Sequence, residues 1–268
     1  MKLLTGVVTV AIASFALAGC DDIALGGWDR VQEDFHYSYP LNAGGRIEVE
    51  NQNGAIEISG WDQNNVDISG TKYASSADRL KEVRVDISPT AGFITIRTVR
   101  PQSWPGNMGV RYMIRVPART ELSRVASSNG AIRVDAVEGA AHLRTSNGPI
   151  TATGMSGGLE AETSNGAITV SSMAGPATLR TSNGRIELSL STIQEVRAGT
   201  SNGAITLRLP AARGASLRAR TSNGSISSDF DVTAHGVLSK HHLEGAIGSG
   251  GPLLDLSTSN GAIRILRR

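Results

Sequence analysis

The tripeptide Ser-Asn-Gly recurs seven times after residue 125, and the repeat constrains this chain more than any other feature. Its asparagines are Asn129, Asn147, Asn165, Asn183, Asn202, Asn223 and Asn260, spaced 18, 18, 18, 19, 21 and 37 residues apart. A near-constant period of this length marks a stacked array in which each unit buries its apolar face against the next. The last interval is about two periods, and Glu244-Gly245-Ala246-Ile247 inside it reads as a degenerate copy. An isolated early copy stands at Asn53-Gly54-Ala55-Ile56.

The flanks of each copy alternate with period two, as a strand with one buried face does. Four residues before each Asn stand Val125, Leu143, Ala161, Leu179, Ala198, Ala219 and Leu256. Three residues after it the side chain is always Ile: Ile132, Ile150, Ile168, Ile186, Ile205, Ile226 and Ile263. Residues between are mostly Arg, Glu, Thr and Ser, suited to solvent. The fold class is therefore all-β. Two architectures share this parity: a parallel β-solenoid with coils of roughly 18 residues, and an antiparallel meander of Asn-Gly hairpins. The solenoid is preferred because a hairpin has no use for the Thr-Ser that precedes most Asn-Gly pairs. Stacked coils also place like residues about 4.8 Å apart, so the seven asparagines form a ladder. On this reading Gly supplies a positive φ at the turn. Asn183, inside the ladder, should matter more than Asn260, last in sequence.

Only 4% of the residues are aromatic, so the core must be built from Ile, Leu, Val and Ala. Formal net charge is +2, from 26 basic and 24 acidic residues, with no clustered basic face that would argue for nucleic acid. The one cysteine, Cys20, excludes an intramolecular disulfide and a cysteine-rich metal site.

Lys2 precedes an apolar stretch from Leu3 to Ala18, which Asp21 and Asp22 stop abruptly. This pattern is a secretory signal, short for a membrane span. Leu17-Ala18-Gly19-Cys20 resembles a bacterial lipobox, which implies cleavage before Cys20 and lipid on its sulfur, a membrane anchor. Aspartate after the cysteine resembles an inner-membrane retention signal, so Asp21 favours the periplasmic face of the inner membrane; the outer membrane stays open. The expected organisation is signal peptide 1–19, lipidated cysteine and tether 20–45, a strand-rich capping region 46–120 and the repeat region 121–268. Within the capping region, alternation predicts strands at Arg46–Glu50, Val66–Ser69, Val83–Ile87, Phe93–Ile96 and Val110–Val116. Ser76 is the expected cap of a short helical turn.

Ile56-Glu-Ile-Ser-Gly60-Trp61-Asp62, then Val66-Asp-Ile-Ser69, then the Ser-Asn-Gly-x-Ile strands resemble the adhesin-like DUF4097, or toast-rack, group over roughly residues 46–265. The resemblance implies a repetitive β fold, the bacterial envelope and, for some members, envelope-stress systems. It brings no catalytic residues.

Several patterns invite chemical readings. Gly154-Met155-Ser156-Gly157-Gly158 matches a nucleophile elbow, but no helix is predicted after it, so a Gly-rich turn is expected. His241-His242 would point to opposite faces of a strand and lack a third ligand. Asp229 and Asp231 are expected to be solvated, and Trp28, Trp61 and Trp104 to pack rather than stack on sugars. No enzyme activity, metal or cofactor is expected. The leading expectation is an envelope protein binding a glycan or another envelope protein, with Arg144, Arg180, Arg197, Arg218 and Arg220 as charge for an acidic partner. An accessory of an envelope-stress system is the alternative; a polysaccharide-cleaving enzyme is disfavoured because no carboxylates cluster.

Overall fold

The computed structural model describes residues 30–99, 108–211, 214–234 and 239–268. Cys20, Asp21, Trp28 and Trp104 lie outside them. In chain order the N-terminal elements are β1 (Val31–Pro40), β2 (Arg46–Glu50), β3 (Ile56–Trp61), β4 (Asn65–Ala74), α1 (Ala77–Glu82), β5 (Arg84–Thr90), β6 (Phe93–Val99) and β7 (Gly109–Pro117). The repeats follow as strand pairs: β8 (Glu121–Asn129) and β9 (Ile132–Asp135), β10 (Ala141–Asn147) and β11 (Ile150–Thr153), β12 (Leu159–Asn165) and β13 (Ile168–Met173). Then come β14 (Ala177–Asn183) and β15 (Ile186–Leu190), β16 (Val196–Asn202) and β17 (Ile205–Leu209), β18 (Ala215–Thr221) and β19 (Ile226–Ser228). The chain ends with β20 (Val232–Ala234), β21 (His242–Ile247), β22 (Leu253–Asn260) and β23 (Ile263–Arg267).

The two strands of a repeat belong to different sheets. Each repeat is thus one coil of a flattened parallel β-solenoid, and the hairpin meander is excluded. Sheet A runs β1-β4-β7-β3-β9-β11-β13-β15-β17-β23-β19, and sheet B runs β20-β21-β18-β22-β16-β14-β12-β10-β8-β2-β6-β5. Stacking is in register, with Ile150 beside Ile168 and Asn147 beside Asn165. The core is the slab between the sheets. Isoleucines 132, 150, 168, 186, 205 and 263 are all buried, and only Ile226, in the last coil, is partly exposed.

The middle of sheet B fills its half of the slab as a checkerboard. Ala141 and Leu143 of β10 lie beside Leu159 and Ala161 of β12, which lie beside Ala177 and Leu179 of β14. Large side chains therefore meet small ones both along and across the strands, which fills the space without aromatic bulk.

The coils do not stack in sequence order. β22–β23, the last pair in the chain, sits between β16–β17 and β18–β19. Leu256 is flanked by Ala198 on one side and Ala219 on the other, so in that row the large–small alternation crosses the splice, while in the row beside it Leu254 lies between Val196 and Leu217. The segment Glu244–Ile247 is not a degenerate coil. It belongs to β21, which runs antiparallel to β18, and with β20 it caps this end of sheet B.

At the other end, β2–β3 is a full coil beside β8–β9, and β6 and β7 extend both sheets in parallel. Three antiparallel strands close this end: β4 on β7, β1 on β4 and β5 on β6. β1 corrects the tether expected over 20–45: Val31–Pro40 is a ten-residue strand. Its Phe35 packs edge-on against Tyr112, 5.9 Å between centroids. Helix α1 is capped by Ser76, whose hydroxyl accepts from the Arg79 amide.

Candidate binding faces and the Asn-Gly corner

At the corner where each coil passes from sheet B to sheet A, the seven asparagines stack as one ladder. Each Nδ2 donates to the Oδ1 of its neighbour at 2.8–2.9 Å, from Asn147 to Asn129, Asn165 to Asn147, Asn183 to Asn165 and Asn202 to Asn183. Because the last coil is spliced in, the run continues from Asn260 to Asn202 and from Asn223 to Asn260. At its start Asn129 donates to Asn53, which donates to the Met108 carbonyl. Asn53 thus joins the ladder, signalled by the early Asn-Gly-Ala-Ile copy. Asn260 is interior and Asn223 is the end, the reverse of their sequence order. Asn183→Ala and Asn260→Ala each remove two amide–amide bonds, Asn223→Ala one. At about 0.5–1.5 kcal/mol per bond, both interior changes should cost about 1–3 kcal/mol and the terminal one about half. Urea midpoints for the three variants check this, and a Asn260→Ala loss as small as that of Asn223→Ala would contradict the splice.

Beneath this exposed ladder runs a buried one. Thr145, Thr163, Thr181, Thr200, Thr258 and Thr221 each donate a hydroxyl to a Gly carbonyl of the adjacent coil at 2.9–3.0 Å. This is why Thr repeats two places before Asn. In the first coil that place is held by Asn51, whose Nδ2 reaches the carbonyls of Val110 and Gly54. Its Oδ1 accepts from Thr98, itself hydrogen-bonded to the Tyr112 hydroxyl. Burial raises the Tyr112 pKa well above its ordinary value.

The corner glycines have another cause than the one expected. In the seven later copies none has a positive φ; among the motif glycines only Gly54 does, at 114°. Instead, a Cβ on Gly148, Gly166, Gly184 or Gly203 would collide with the carbonyl oxygen of the corresponding Gly one coil away. Gly157 and Gly175 repeat this close approach at the second corner. There Gly154–Gly158 is a turn entering β12, with Met155 buried and Ser156 exposed.

The outer face of sheet B carries the five arginines read as charge for an acidic partner. Three already face carboxylates: Arg144 to Glu162 at 2.9 Å, Arg197 to Glu195 at 3.0 Å and Arg218 to Glu244 at 3.0 Å. This face therefore largely neutralises itself.

The outer face of sheet A differs. Outward positions form two rows crossing the coils, Arg133-Thr151-Thr169-Glu187-Thr206 and Asp135-Thr153-Ser171, with Ser189 and Arg208 beyond. Short hydroxyls dominate the middle of both. Toward β4 the rows reach a shallow recess of about 360 Å³ lined by Glu57, Ser59, Asp67, Met113, Arg115 and Asp135. Asp67 accepts from His36 at 2.9 Å and lies 3.4 Å from Arg115. Burial alone would raise its pKa, but His36 and Arg115 together hold it below the usual carboxylate value. Trp61 meets the recess only through Arg115, which covers its ring at 4.6 Å, while its indole N–H donates to the Asn65 carbonyl.

The remaining candidates have structural roles or none. Asp229 accepts from the Arg267 amide, and the Arg267 guanidinium lies over Phe230. His242 lies 3.5 Å from Glu244. Among the described residues no group of three or more His, Cys, Asp or Glu side chains is placed to hold a metal. No helix among them is long and apolar enough to cross a membrane.

These features define a two-sheet parallel β-solenoid with an amide-laddered corner. The Toastrack DUF4097 family matches residues 34–266, and the chain belongs to it. Among solved structures, a candidate cell adhesion protein from Clostridium sporogenes is similar at 14% identity and a TM-score of 0.38, over 88% of this chain and 100% of that one. A candidate adhesin from Bacteroides fragilis is similar at 12% identity and a TM-score of 0.42, over 87% and 97%. No curated protein matches the sequence.

Proposed function

We propose that this chain is a non-enzymatic lipoprotein of the bacterial envelope, anchored through Cys20, that binds a glycan or another envelope protein on the outer face of sheet A. The observation carrying the reading is the pair of hydroxyl-rich rows from Thr151 to Thr206, set on a flat sheet whose own hydrogen bonds are satisfied within it. Side-chain hydroxyls both donate and accept, which suits the hydroxyl and amide groups of a glycan or an extended peptide. Repetition at the strand spacing of about 4.8 Å suits an elongated partner. The Leu-Ala-Gly-Cys20 motif supports the anchor, and Asp21 supports the periplasmic face of the inner membrane.

The test has two arms. Cys20→Ser should abolish acyl labelling and leave the precursor uncleaved; normal labelling would refute the anchor. For the face, the chain is pelleted with isolated peptidoglycan and cross-linked to envelope proteins in cells. Thr169→Lys with Ser171→Lys should weaken capture about tenfold, some 1.4 kcal/mol. Thr178→Lys, on the outer face of sheet B, should not. Equal loss from both, or from neither, would count against the sheet A face.

A further inference from the structure

Among the described residues the two sheets have four edges, and three are blunted in the ways that prevent strand addition. β19 and β20 are three residues each, and β5 carries Pro89. The fourth, β1, is ten residues long, with a proline only at its last position. Its acidic side chains do not guard it, because they are turned to its own neighbour. Glu33 pairs with Lys72 at 2.7 Å, and Asp34 accepts from the Thr71 hydroxyl at 2.7 Å. The same end also gathers exposed apolar side chains. Val31 is 37% exposed, Tyr37 40% and Val99 40%; among the described residues the other large exposed apolar side chain is Met113, two strands in on β7.

We infer that β1 is the docking edge for a second copy of this chain, the two β1 strands pairing antiparallel about a twofold axis so that sheet A runs on from one molecule into the other. An antiparallel edge is self-complementary under such an axis, so one patch serves both copies. In the register centred on His36, Phe35 lies opposite the partner's Tyr37 and Asp34 opposite the partner's Ser38. Glu33 then lies opposite the partner's Tyr39 and each His36, bonded to its own Asp67, opposite the partner's His36, so no two carboxylates are opposed. Residues directly opposite share a face, so the inward Phe35 and Tyr37 of both copies cover one another, an arrangement that favours cross-strand aromatic pairs. Chain length fits as well. The eleven residues from Cys20 to Arg30 reach at most about 40 Å, so two copies anchored on one membrane hold their β1 edges in the same thin layer. The edge geometry stands without the anchor; only this last point rests on it.

Two measurements test the pairing in the full-length protein. The detergent-extracted chain should have a native mass twice that of one chain, and Tyr37→Lys should return it to one. His36→Cys should form a disulfide dimer in cells, since both kinds of antiparallel pair bring Cα atoms within disulfide range. The dimer band should exceed that of Ser227→Cys, on the opposite edge, by at least about fivefold. Single-chain mass together with no cross-link above that control would overturn the inference. So would a His36→Cys adduct whose mass is not twice the chain's, which would put a different protein on β1.

Discussion

Deleting residues 252–268 should unfold far more than the coil they form. In an array stacked in sequence order, the last repeat lies at an end and its loss exposes one neighbour. Here β22–β23 separates β16–β17 from β18–β19, so its removal exposes both. It carries Leu254, Leu256, Ile263 and Ile265, all fully buried. At about 1.5–3 kcal/mol each, these four side chains contribute about 6–12 kcal/mol. A whole domain is stable by only about 5–15 kcal/mol. The gap cannot close cleanly: β18 against β16 would set Ala219 beside Ala198, two small side chains with the Leu256 side chain between them lost. The truncated chain is expected to lose its cooperative thermal transition and to be cut by protease between Ala211 and Gly251. A wild-type melting midpoint would show that the splice is not required.

Gly166→Ala is the second large effect. The added methyl would lie on the Gly148 carbonyl oxygen, with the Gly148 carbonyl carbon and the Pro149 nitrogen also crowded. Those atoms are backbone held at strand spacing by the Gly148 amide bond to Asn165 and the Asn ladder, so they cannot swing aside as a side-chain tip would. Overpacking costs about 1–3 kcal/mol where side chains can adjust, and here about 3 kcal/mol or more is expected. Gly158→Ala is the internal control. A Cβ there has only the Pro176 ring within reach, at 3.8 Å, and no positive φ to relieve. It should be neutral or slightly stabilising through the unfolded state. Equal midpoints for the two variants in urea would mean that Gly166 is not held by close approach.

Much of the fold was legible because a stacked coil repeats its environment, and repeated environments select repeated residues. Alternation about each Asn placed Ile168, Ile186 and their equivalents in the core. The recurrence of Thr-Ser before Asn-Gly pointed away from hairpins, and the buried Thr163 and Thr181 show what that Thr does. The Phe35-x-Tyr37-x-Tyr39 alternation of β1 is present in the sequence too, but it stands between Gly26-Gly27 and Gly44-Gly45, pairs that a tether would also carry. Its pairing with β4, thirty residues or so downstream, leaves no local mark.

By itself, the sequence determined the all-β class, the coil length, the parity of each strand and the amide ladder. These depend on local period and on like residues meeting like. Tertiary structure alone decided the order of the coils. Every Thr-Ser-Asn-Gly corner offers its neighbour the same hydrogen bonds, so the motif cannot say whether Asn202 stacks on Asn223 or on Asn260. Side-chain volume distinguishes them, because Leu256 fills the space between Ala198 and Ala219. The role of the corner glycines was likewise settled only in three dimensions. The carbonyl oxygen that forbids a Cβ on Gly166 belongs to Gly148, a full coil away, and a conflict with backbone that distant is invisible until the coils are stacked.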